Sequence, residues 1–114
     1  MQRRSRRLPR ELWRQLRAQV WERDRGFCQG PYCQDAPPIA LEAAHIDHRV
    51  PLSRGGTNAI VNLRTLCRRC HVLRADRSHQ GMIAAALRDG IIPPNWRELV
   101  WDDRPDDTRG NPHA

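Results

Sequence analysis

The chain has 114 residues and a mass of 13.3 kDa, enough for one domain of ordinary size and too little for a two-domain enzyme. Hydrophobic residues make up 39% and aromatic ones 5%, so apolar burial is thin against the entropy lost on folding, and something besides a core is expected to hold the fold. Twenty basic residues, all Arg, against 13 acidic ones leave a net charge of +7, which makes a polyanion the natural partner.

Residues 1–10, MQRRSRRLPR, carry five Arg and no acid and are expected to form a basic flexible arm, either solvated or laid on nucleic acid. From Pro9 the pattern changes. Leu12, Leu16 and Val20 recur at i, i+4 and i+8 beside Trp13 and Trp21, one apolar stripe of a helix that Pro9 suits as a first-turn residue and Gly26 ends. Phe27 to Pro38 holds two Cys, Gly30 and three Pro and reads as a loop. Ile39 to Leu52 alternates in a way that predicts a strand ending at Pro51, and Ser53 to Asn58 forms a turn-rich loop. Asn62 to Leu66 predicts a second short strand, followed from Arg68 by a helix with Cys70 and His71 in its first turns. Met82, Ile83, Ala86 and Leu87 suggest another short helix closed by Gly90, and Ile91 to Pro94 reads as extended. The acidic tail, 101–114, is expected to fray, which leaves a single domain over 11–100. No apolar stretch reaches the roughly 18 residues of a membrane span, and the Arg-rich start lacks the apolar segment of a secretory signal, so a cytoplasmic protein without a membrane partner is expected.

All four cysteines fall into two pairs, Cys28-x4-Cys33 and Cys67-x2-Cys70, the second followed at once by His71. Two short chelating loops of this kind suit a tetrahedral structural zinc, and four thiolates would leave it no open coordination position. Two disulfides or four unrelated buried thiols are the alternatives, and an intracellular chain argues against the disulfides. A structural Zn2+ would supply the stability that the small core lacks.

Between the two pairs, and into the second, runs Glu42-Ala-Ala-His45-Ile-Asp47-His48-Arg-Val-Pro51-Leu-Ser-Arg-Gly55-Gly56-Thr-Asn-Ala-Ile-Val-Asn62-Leu-Arg-Thr-Leu-Cys67-Arg-Arg-Cys70-His71. Asp47-His48, Pro51, Gly55-Gly56, Asn62-Leu63, Leu66-Cys67, Cys70 and His71 stand in the order and spacing of the HNH endonucleases, and the stretch resembles that family. The resemblance runs from Trp13 to Arg74 and includes the lead-in through Val20 and Arg23-Asp24 to Cys28.

The resemblance implies an α+β, ββα-metal fold, stapled by the four-cysteine zinc, with an N-terminal helix and a C-terminal helical extension; the ββα-metal core would span about 40–78. It also implies a metal-dependent DNA endonuclease that hydrolyses phosphodiesters to 5′-phosphate and 3′-hydroxyl ends, by nicking or by double-strand cleavage. Asp47 and His71 would hold one catalytic divalent cation, Mg2+, Mn2+, Ni2+ or Zn2+, since a carboxylate and an imidazole suit several ions. His48 would be the general base on the attacking water, a task that suits an imidazole near neutral pH. Asn62 would orient the base-bearing loop, because an amide both donates and accepts without titrating. His45, two residues before Asp47 and on the same face of a strand, either touches the metal shell or is a satisfied structural His.

Arg49, Arg54, Arg64, Arg68, Arg69, Arg74 and Arg77 surround the motif, and Arg54, Arg69 and Arg74 are the favoured phosphate contacts. No base-reading helix is evident, so duplex DNA would be bound with weak sequence specificity and strong salt dependence. Small free-standing relatives in phage genomes or restriction systems suggest packaging or restriction proteins as partners, and no heptad marks a dimer. The reading from another class is a catalytically inactive, zinc-stapled DNA-binding adaptor; an RNA-binding zinc knuckle lacks aromatics placed for stacking.

Overall fold

The computed structural model describes residues 8–75 and 80–102. Most of the expected arm, Arg77, His79, His113 and the tail beyond Asp102 lie outside the described residues. The chain divides into two units, one ending at His71 and one beginning at Val72.

In the first unit, helix α1 (Arg10–Arg23) opens after Pro9, whose carbonyl accepts from Trp13 N at 2.9 Å. Its more buried residues are Trp13, Leu16, Arg17, Val20 and Trp21, an i, i+3, i+4, i+7, i+8 series, with Ala18 beside them. Leu12, expected on that stripe, is 51% exposed. Arg17 takes an inner position instead, because its guanidinium donates to the carbonyls of Leu41 and Ala44 at 3.0 and 2.9 Å. Trp21 Nε1 donates to Ile39 O at 2.8 Å, and Arg23 donates to the carbonyls of Ile60 and Leu63 at 2.9 and 2.6 Å.

These contacts explain a correction to the first predicted strand. Strand β1 covers only His45–His48, and Leu41–Ala43 forms a 3-10 turn. The carbonyls of Ile39, Leu41 and Ala44 are satisfied by side chains of α1, where a longer strand would have needed a neighbouring ladder. β1 pairs antiparallel with β2 (Leu63–Leu66), placing His45 opposite Leu66 and Asp47 opposite Arg64. All four residues of β2 are buried. Gln29 N donates to Thr65 O at 2.9 Å, which ties the first cysteine loop to β2. Helix α2 (Arg68–Leu73) starts one residue after Cys67 and completes a β-β-α order.

The second unit buries Val72, Leu73, Ala86 and Ile92, with Met82, Ile83, Ile91, Trp96, Leu99 and Trp101 packed around them. Helix α3 (Gln80–Arg88) supplies the 82, 83 and 86 positions and is closed by Ile91 N donating to Ala86 O at 2.8 Å. That bond bends the chain, so Ile91 to Pro94 forms bends and a turn where an extended run was expected. Trp101, expected in a fraying tail, is held by two main-chain bonds: it donates to Leu73 O at 3.1 Å and accepts from Ala75 N at 2.8 Å.

Candidate active site and metal centre

The Sγ atoms of Cys28, Cys33, Cys67 and Cys70 all lie within 4.8 Å of one another, and among the described residues this is the group of four that could hold a metal ion. Cys33 Sγ is 3.6 Å from Cys67 Sγ and 3.8 Å from Cys70 Sγ. Those separations match the roughly 3.8 Å edge of a tetrahedron whose centre lies about 2.3 Å from each sulfur. Main-chain amides turn toward the sulfurs: Gly30 N and Cys67 N donate to Cys28 Sγ at 3.3 and 3.2 Å, and Cys70 N donates to Cys67 Sγ at 3.4 Å. Gly30 is required here, since a Cβ at this position would sit 2.6 Å from Cys70 Sγ. The hydrogen bond with Cys67 pushes the Cys28 thiol up to about 11, and the same contact holds Cys67 well below the ordinary thiol range. Cys70 is pushed strongly up, chiefly by Cys28. Sulfurs this close cannot all ionise on their own, whereas a bound cation would let them.

Asp47 is buried on β1, with 3% of its side chain exposed. Arg64, directly across the ladder, donates from Nε to Asp47 Oδ2 at 2.9 Å and is equally buried. The other oxygen, Oδ1, stands 3.8 Å from Nε2 of His71 on α2. This is a mixed oxygen and nitrogen donor pair whose separation two bonds of about 2.1 Å to one ion would span, so the residues fit a divalent cation. The opposite ring nitrogen of His71, Nδ1, lies 3.0 Å from Nδ1 of His45.

His48 follows Asp47 and is held from two sides. The ring of Trp13 on α1 stacks on it, 5.8 Å between centroids and 6° between planes. On the other side, His48 Nε2 lies 2.9 Å from Asn58 Oδ1. An amide oxygen only accepts, so Nε2 of His48 is the donor in this contact, which leaves Nδ1 as the ring nitrogen turned away from Asn58. The loop bearing Asn58 is stapled by Asn62. Asn62 Oδ1 accepts from Val50 N at 2.9 Å, and its Nδ2 donates to Val50 O at 3.1 Å and Thr57 O at 2.7 Å. Its carbonyl accepts from Arg49 N at 2.8 Å. Gly56 lets the loop close, because a Cβ there would lie 1.7 Å from Val50 O.

Trp13, Asn58 and Arg64 are neighbours of the motif residues whose contacts sequence reading missed. Arg64 was legible in principle, since pairing the two strands antiparallel sets it against Asp47. Asn58 and Trp13 reach His48 only through the path of a loop and the docking of a helix, for which the sequence carries no direct signal. Among the basic residues, Arg54 is exposed, and Arg69 is exposed while donating to Tyr32 O at 3.1 Å and Cys33 Sγ at 3.7 Å. Arg74, expected among the phosphate contacts, is buried, with 4% exposed.

The family model of the HNH endonuclease matches residues 28–77. No curated protein and no solved structure matches the chain. Among the described residues, no helix is long and apolar enough to cross a membrane. The cysteine cluster, the β1–β2 pair with its joining loop, and α2 all lie inside the match to the HNH endonuclease family model, and their β-β-α order beside four clustered cysteines is consistent with a ββα-metal fold.

Proposed function

We propose that the protein is a metal-dependent DNA endonuclease working with one divalent cation and His48 as general base. The observation that carries this reading is the pairing of Asp47 Oδ1 with His71 Nε2 at 3.8 Å, supported by the next residue in the strand, His48, whose Nε2 is held at 2.9 Å by Asn58 Oδ1. Asp47 and His71 would hold the cation, which when bound supplies positive charge to the phosphoryl oxygens and the departing alkoxide. Nδ1 of a neutral His48 takes one proton of a water whose oxygen bonds to phosphorus; the P–O3′ bond breaks, and the departing alkoxide takes a proton from a solvent water, leaving a 5′-phosphate and a 3′-hydroxyl. Trp13 and Asn58 keep that imidazole in one orientation and one tautomer. Asn62 acts through the loop, holding Val50 and Thr57 so that Asn58 reaches the base.

Zinc is the ion we assign to the four cysteines, on the sulfur donor set and its tetrahedral spacing. Arg54 and Arg69 are the phosphate contacts we retain, Arg54 as a free arm and Arg69 at the rim of the cysteine cluster.

The test is conversion of supercoiled plasmid by zinc-replete protein with Mg2+, Mn2+, Ni2+ or EDTA, beside His48→Ala verified to be folded. Cation-dependent nicking that is lost in the variant, with DNA binding retained, is expected. Equal inactivity of both proteins with every cation, on duplex, single-stranded and branched DNA, would leave a DNA-binding adaptor.

A further inference from the structure

The contact between His45 and His71 is not used by that mechanism. His45 and Asp47 are two apart on β1 and so share a face of the strand, and both reach His71 on α2, at its two different ring nitrogens. The rings of His45 and His71 are tilted by 53° with centroids 5.0 Å apart, so the 3.0 Å approach of the two Nδ1 atoms is an edge contact and not a stack. Two imidazole nitrogens at that distance share one proton.

The side on which this proton sits decides what His71 can do. If His45 donated, His71 would be left with its own proton on Nε2, pointing toward Asp47, and that nitrogen would have no lone pair to give. If His71 donates from Nδ1, Nε2 is bare on the side of Asp47 Oδ1. Only the second arrangement is compatible with cation binding through Nε2. With Nε2 turned to the cation, His45 meets His71 at its other ring nitrogen, Nδ1.

We infer that His45 is a positioning residue: its Nδ1 accepts the Nδ1 proton of His71, fixing the tautomer and the ring so that Nε2 of His71 can join Asp47 in holding the divalent cation. This is the task that a carboxylate or a backbone carbonyl performs behind many metal-bound histidines. The inference rests on the reading of Asp47 and His71 as the cation's ligands.

The experiment uses 15N-labelled, zinc-replete full-length protein at pH 8. Long-range imidazole spectra of the wild type should show the His71 proton on Nδ1, and in His45→Ala it should move to the Nε2 position that free imidazole prefers. Mn2+ or Cd2+ affinity, read by titration calorimetry, should fall about 10- to 100-fold in His45→Ala. His45→Asn, whose amide oxygen sits near where Nδ1 was, should recover most of that loss. The cysteine-bound metal and the melting temperature of each variant serve as the check on folding. A His71 proton on Nε2 in the wild type, or unchanged cation affinity in His45→Ala, overturns the inference. So does a Cd2+-induced coordination shift on the His45 ring itself, which would make it a ligand. Asp47→Ala separates the two levels. If it abolishes cation binding while His45→Ala does not, the ligand reading stands and this inference falls. If the wild type binds no cation beyond the cysteine-held one, both fall.

Discussion

Asp47 has its two oxygens on different duties. Oδ2 is neutralised by Arg64, and Oδ1 faces His71. Pulling a carboxylate almost wholly out of water is tolerable only with such a partner. Arg64→Met should therefore cost about 3–5 kcal/mol, the usual penalty for leaving one half of a buried ion pair, measured from urea midpoints. Saturating Mn2+ should return part of that loss, because a cation beside Asp47 compensates the same charge. A cost under about 1 kcal/mol would place the pair among surface-like contacts and defeat the argument. At this scale the sequence is informative about residue identity and poor about partnership. Asp47, His48, Asn62 and His71 are read from spacing; the structure sets Asp47 beside His71, His48 beside Asn58, and Asn62 against Val50 and Thr57. Arg64 reads from sequence as one basic residue among seven, and Arg74 as a phosphate contact, since burial of a guanidinium depends on what packs over it.

Among the elements, the two cysteine loops would gain the most from a bound metal. Each is too short to fold alone, and Gly30 brings its backbone to within contact of the Cys70 side chain. A structural zinc contributes on the order of 10 kcal/mol to folding, so Cys28→Ala and Cys67→Ala should be unfolded or aggregated, read from metal content and loss of the thermal transition. A soluble, metal-free variant with an unchanged melting temperature would refute the assignment. Binding demands that the sulfurs lose their protons, and Cys28 is pushed up to about 11 by its neighbour Cys67. Protons therefore compete with the metal, and affinity should fall as pH falls. The helices were the most legible elements: α1, α2 and α3 fall where periodicity and stop residues put them. The first strand was overextended because alternation through Ile39, Leu41 and Ala43 looks alike in a strand and in an irregular run whose carbonyls are capped from elsewhere.

For the molecule as a whole, charge is the dominant property. With a net +7 and exposed arginines at positions such as 49, 54 and 69, binding to duplex DNA should be driven by counterion release. A plot of log affinity against log salt should fall with a slope of about −3 or steeper, since each neutralised phosphate contributes about −0.9. A slope near zero would sink the DNA reading. Composition also anticipated how little apolar material there is. Among the described residues, only Val20, Ala44, Leu63, Leu66 and the cysteines Cys33 and Cys70 form the buried hydrophobic set of the first unit. Division of the chain at His71 left no trace in composition, because α2 runs unbroken through that point.

The way α1 is fastened has a consequence for how this sequence can drift. Apart from the bonds of Arg23 to the adjoining Asp24 carboxylate, Arg17, Trp21 and Arg23 make five bonds across the first unit, and these five end on main-chain oxygens, at Ile39, Leu41, Ala44, Ile60 and Leu63. What the helix recognises there is the route of the backbone and not the identity of the residues along it. Exposed positions on that route, such as Ala40, Glu42, Ala43 and Val61, are thus free to diverge between descendants of this protein without loosening the clamp, while the three donors on the helix are not.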